Sequence, residues 1–136
     1  MADPPASVDG PYGPGCGIAL LLGVAVAAGT AVVFQLLTGR ATGLGSEAGP
    51  LTAQALLAAA PFAALALAGA RRPLPWLSAL ALTLLLWGWF LAAGISYQWH
   101  PDGSGANIGL GLVMLASPLP IGAVGLAVHF RQKRRR

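Results

Sequence analysis

The sequence predicts an all-α integral membrane protein: four transmembrane helices in a compact bundle, with both termini on the cytoplasmic side. Three observations carry that expectation. Hydrophobic residues make up 56% of the 136-residue chain and charged ones only 9%, too few charges to give a soluble domain of this size a solvated surface. Four apolar stretches, about 17–37, 50–70, 74–95 and 106–130, each suit the roughly 20 residues a helix needs to cross a bilayer core of about 30 Å. The basic residues are also lopsided. With four crossings, Arg71, Arg72, Arg131, Lys133, Arg134, Arg135 and Arg136 share one side and only Arg40 lies on the other. Lys and Arg in short loops are retained in the cytoplasm, which orients the chain.

Taken in order, residues 1–16 are rich in Pro and Gly and are expected to form a disordered cytoplasmic tail. Asp3 and Asp9 stand where a cleavable signal would carry positive charge. The apolar run that follows exceeds the roughly 7–15 residues of a signal-peptide core, so it reads as a retained anchor. Cys16 is the only cysteine, which excludes a disulfide within the chain. The first span carries Ala19, Gly23, Ala27 and Ala31 at every fourth position, and the second carries Ala55, Ala59 and Ala63 in the same way. Small residues at this spacing let helix backbones approach closely.

Pro50 suits the first turn of the second helix, where a missing N–H costs nothing. Arg71, Arg72, Pro73 and Pro75 predict a tight turn into the third span. There Trp87 and Trp89 lie two positions apart, roughly 200° around a helix, so they face opposite ways. Gly88 and Ala92 form a fainter small-residue pair. Residues 96–105 read as a polar loop, with Tyr97 and Trp99 at one membrane boundary and Trp76 at the other, as in aromatic belts. The fourth span opens on Gly105 and Gly109, a GxxxG pair. The tail 131–136, with Arg131, Lys133, Arg134, Arg135 and Arg136, is a membrane-surface anchor for anionic headgroups.

Functional signals are sparse. No Asp, Glu, Lys, Arg or His falls deep inside any span, and such residues are what mark proton relays and ion pathways in membranes. Pro61 in the second span and Pro118 and Pro120 in the fourth are expected helix breaks. Each frees a carbonyl (of Leu57, Met114 and Ala116) that must find a donor in hydrocarbon. Thr30, Thr83 and Ser117 lie at a similar depth and are candidate donors. Gln35, Gln54, His100, Asp102 and Asn107 collect at the outer face as a possible polar cluster, beside Arg40 and Glu47. The H-x-D spacing of His100 and Asp102 offers two ligands where a zinc site wants three or four, and Ser96 and Ser104 have no nucleophile-elbow context. No catalytic, cofactor or metal site is therefore assigned.

The basic tail lacks the aromatic interleaving and the supporting fold of a nucleic-acid contact. Four-span exporters that rest on an acidic residue in the first helix differ from this chain, which has none there. Four-span disulfide-forming enzymes need cysteine pairs, and here Cys16 stands alone. Arginine outnumbers lysine and Ala, Leu and Gly dominate, a bias that resembles high-GC bacterial coding and points to a bacterial inner membrane. The functional expectation is a non-catalytic accessory, assembly or scaffold subunit that binds a membrane-protein partner or its own copies. The alternative is an oligomeric channel or small-solute transporter using the proline-broken fourth helix and the outer polar ring.

Overall fold

A computed structural model describes residues 14–39, 48–99 and 108–135 of the chain. Five helices follow one another: α1 (Pro14–Thr38), α2 (Ala48–Leu67), α3 (Pro73–Trp99), α4 (Ile108–Ala116) and α5 (Pro118–Arg134). α1, α2, α3 and the α4–α5 pair give four segments long and apolar enough to cross a membrane. At 1.5 Å per residue, the 25 residues of α1 span about 37 Å and the 27 of α3 about 40 Å, enough for a bilayer core of about 30 Å with some tilt.

Several boundaries differ from those expected. α1 begins inside the anticipated tail. α3 continues through Ser96 and Tyr97 to Trp99, because no Gly or Pro interrupts that stretch until Pro101. α5 carries Arg131, Lys133 and Arg134 in its last turn, where cations complement the partial negative charge of a helix C-terminus. Pro61 does not break its helix: α2 runs uninterrupted from Ala48 to Leu67. Arg40, Glu47, His100, Asp102, Ser104, Gly105, Asn107 and Arg136 lie outside the described residues.

The helix ends close by standard devices. Gly39, at φ +65°, ends α1, and its N–H donates to the Gln35 carbonyl at 3.0 Å. Gly69, at φ +70°, ends α2. Its N–H donates to the Ala66 carbonyl, and that of Ala70 to the Leu65 carbonyl, both at 3.0 Å. That pairing is a Schellman motif. The Trp76 indole N–H donates to the Ala70 carbonyl at 2.8 Å, and its ring stacks on Phe62 at 6.2 Å. Together these contacts fold α3 back against α2.

Close approaches fix the register. A Cβ on Gly15 would meet the Ala66 Cβ at 3.2 Å, while one on Gly23 would meet the Ala59 Cβ at 2.5 Å and the Ala55 carbonyl oxygen at 2.6 Å. α1 and α2 are therefore antiparallel. Gly122 faces Pro61 and Gly125 faces Leu65, so α5 runs parallel to α2; Gly125 also faces Ala79 of α3. Consequently Arg71, Arg72 and the basic end of α5 share one end of the molecule.

Packing is tightest toward that basic end. Ala19, Phe62, Leu65, Ala70, Ala79 and Ile121 form its buried core, with Leu22, Trp76 and Leu126 against it. A second, smaller cluster of Ala58, Trp87 and Phe90 lies further along, backed by Val26 and Met114. At the far end fewer of the described residues are buried. Ile95 is the buried residue there among those described, and α4 is largely exposed.

The α1–α2 crossing yields a paired prediction. Gly23→Ala places a methyl group inside the Ala55–Ala59 backbone and should destabilise the fold by about 1–3 kcal/mol, as overpacking does. Gly122→Ala, whose added Cβ would sit at an ordinary 3.9 Å from Pro61, should be nearly neutral. Unfolding titrations of both variants in bicelles measure the difference.

Candidate functional site

At the far end lies a cavity of about 310 Å³ bounded by α1, α2, α3 and Met114 of α4. Its walls arise from helix periodicity. Thr30, Ala31, Phe34 and Gln35 come from the last turns of α1, and Pro50, Leu51 and Gln54 from the first turns of α2. Trp87, Phe90, Leu91 and Gly94 come from one side of α3. Gly94 matters for the shape: a Cβ there would lie 3.7 Å from the Phe34 ring.

Of the polar residues expected to gather at this level, Gln35 and Gln54 both line the cavity. His100, Asp102 and Asn107 fall outside the described residues. Thr30 donates to the carbonyls of Val26 and, at 3.3 Å, Ala27 in its own helix. Thr83 likewise donates to Ala79 at 2.8 Å. Neither hydroxyl therefore serves the proline-freed carbonyls. Among the described residues, no group of His, Cys, Asp and Glu is placed to hold a metal ion.

The fourth span shows how its break is accommodated. Ser117 separates α4 from α5 and keeps helical angles, φ −55° and ψ −33°, although the residue before a proline is normally pushed out of that region. The backbone therefore stays helical across Ser117. Pro118 occupies the first position of α5, where its missing N–H is not needed. The Met114 carbonyl accepts from the Ser117 N–H at 3.2 Å and from the Ser117 hydroxyl at 2.7 Å. Ser117 is itself buried.

Sequence reasoning left open which indole faces inward. Thr83, Trp87 and Phe90 continue a buried line that begins at Pro75 and Ala79, a spacing of about four that was available in the sequence. Trp87 is 2% exposed and Trp89 53% exposed. The indole N–H of Trp87 has no hydrogen-bond partner, whereas that of Trp76 has one. An unpaired buried donor of this kind costs about 1–3 kcal/mol, and nothing in the sequence marks it, because it depends on what α2 and α4 place opposite.

The small-residue positions divide in two. Ala19, Gly23 and Ala27 are buried against α2, with Ala31 half-buried. Gly109 and Gly111 of α4 are exposed, as are Gly88 and Ala92 of α3. Compared with protein-family models, curated proteins and solved structures, the chain matches none of them.

Replacing Ser117 with Ala removes the hydroxyl donor to Met114 while keeping the backbone one. The expected cost is about 0.6 kcal/mol, the average for side-chain hydrogen bonds inside membranes. Hydrogen exchange of the α4 amides, read against the same amides in α3, should rise selectively.

Proposed function

We propose that the protein is a non-catalytic subunit of a bacterial inner-membrane assembly: a four-helix bundle with both termini cytoplasmic, docking a membrane-protein partner on the outward face of α3. Ala81, Leu84, Leu85, Gly88, Ala92 and Ser96 form a continuous exposed face along that helix. A Cβ added at Gly88 would meet nothing within 4 Å. This open small-residue face is the observation that carries the reading, since close backbone approach is what drives helix association in lipid. The small-residue stripe of α1 is already used within the chain, against Ala55 and Ala59, so a partner needs another face. Trp89, exposed beside Gly88, adds the large ring that such contacts favour.

The cytoplasmic placement of both termini rests on the shared end of Arg71, Arg72, Arg131, Lys133, Arg134 and Arg135. These residues also suit contact with anionic headgroups, on the order of 1 kcal/mol for each near the surface. Channel function draws less support, because the Met114 carbonyl is occupied by Ser117 rather than offered to an ion.

The test is gentle purification of the tagged protein from its own membranes, followed by mass spectrometry of what accompanies it. A stoichiometric membrane partner is expected. Gly88→Leu should reduce its recovery about tenfold, the effect of roughly 1.4 kcal/mol. Leu119→Ala, at an exposed site on α5, should leave it unchanged. Recovery of the chain alone, or only with its own copies, contradicts the subunit reading.

A further inference from the structure

The register of α5 brings two basic segments, far apart in sequence, to one height. A Cβ on Gly125 would stand 3.4 Å from the Ala79 Cβ, and α3 and α5 run in opposite directions past that contact. Pro73, the start of α3, stands six residues before Ala79, and Arg131 stands six after Gly125. At 1.5 Å per residue, both lie about 9 Å beyond the contact. Arg71 and Arg72, in the turn before α3, are therefore level with Arg131, Lys133 and Arg134 in the last turn of α5. All five side chains are exposed. Because that last turn is helical, Arg131 and Arg134, three residues apart, are neighbours on its surface. Gln132 lies between them with its side-chain oxygen buried, so one side of the turn is covered. We propose that the two segments form one site for a lipid headgroup carrying two phosphates, one held by Arg71 and Arg72 and the other by Arg131 and Arg134.

Charge sets the sign of the ligand. Segments 71–72 and 131–136 carry seven Lys and Arg, against four Asp and Glu in the whole chain, so no placement of the acidic residues neutralises them. Six of the seven are arginines, whose planar fork meets phosphate oxygens through paired hydrogen bonds. These arginines come from two elements, and packed helix axes stand about 8–10 Å apart. One phosphate occupies one pair, and a second phosphate joined to it reaches the other pair as an intramolecular contact. Basic pockets between membrane helices hold headgroups of this kind. Leu74, Leu77 and Phe130, exposed next to the charged positions, offer apolar surface to acyl chains, which a soluble diphosphate lacks. The site deepens the headgroup contact proposed above and rests on it, but it does not depend on a partner docking on α3.

The test titrates the full chain, in neutral maltoside micelles, with diphosphatidylglycerol, phosphatidylglycerol or phosphatidylcholine. Native mass spectrometry counts the bound lipid. Diphosphatidylglycerol should bind at one per chain and at least about tenfold more tightly than phosphatidylglycerol at matched phosphate, since joining two contacts raises avidity. Arg71→Gln with Arg72→Gln should abolish that preference, and so should Arg131→Gln with Arg134→Gln. A preference that survives either pair overturns the bridge. Equal binding of the two anionic lipids overturns the two-phosphate site and leaves the headgroup contact standing, whereas equal binding of all three removes both. Displacement of bound diphosphatidylglycerol by inorganic pyrophosphate overturns a lipid as the occupant. The wild-type comparison decides by itself, so a variant that does not assemble leaves the test intact.

Discussion

In a hydrocarbon solvent two helices gain little by hiding apolar surface from lipid, so what joins α1 to α2 is how nearly their backbones can approach. That approach is set at Gly23, where a methyl group would stand 2.5 Å from the Ala59 Cβ and 2.8 Å from its amide nitrogen. Ala19 and Ala27, one turn to either side, are buried by the same crossing. With these two helices locked, Phe62 and Leu65 of α2 are presented to α5 and α3, and Ile121 and Ala79 close over them. The dense core at the basic end follows from the α1–α2 contact.

The second constraint is that backbone groups within the membrane must find partners inside the protein. At Pro118 the fourth span meets it locally, through Ser117 and the Met114 carbonyl. Between α2 and α3 it is met by Gly69, Ala70 and the Trp76 indole. α4 is largely exposed, and the far end holds a cavity where the basic end holds a core. Among the described residues two buried polar atoms are left without a partner, the Trp87 indole nitrogen and the Gln132 side-chain oxygen.

Much of this was legible from the residues. Four spans followed from apolar length and the tight turn from Arg71, Arg72 and Pro73, while Gly23 and its alanine neighbours marked a packing stripe without saying which helix it meets. Pro61 was misleading: a proline within a buried helix can be absorbed when its neighbours pack around it, and Pro61 lies buried opposite Gly122. The continuation of α3 to Trp99 was equally unexpected, since polar composition suggested a loop while the absence of Gly and Pro permitted a helix. Of the candidate polar cluster, Gln35 and Gln54 line one cavity. Spacing alone could place them at one level but not on one wall, because rotation about each helix axis is set by its neighbours.

The sequence by itself determined that this chain carries four membrane-length helices, that most of its positive charge lies at one end of them, and that no Asp, Glu, Lys, Arg or His lies deep inside a span. Those properties depend on composition and length, which act along the chain. The tertiary structure decided which small residues are spent inside the protein and which remain on its surface, which indole is buried, and that one end packs into a core while the other holds a cavity. These depend on the relative rotation and tilt of helices. In lipid that geometry is selected by a few close contacts such as Gly23 against Ala59, rather than by the burial of a hydrophobic face that a sequence pattern would announce.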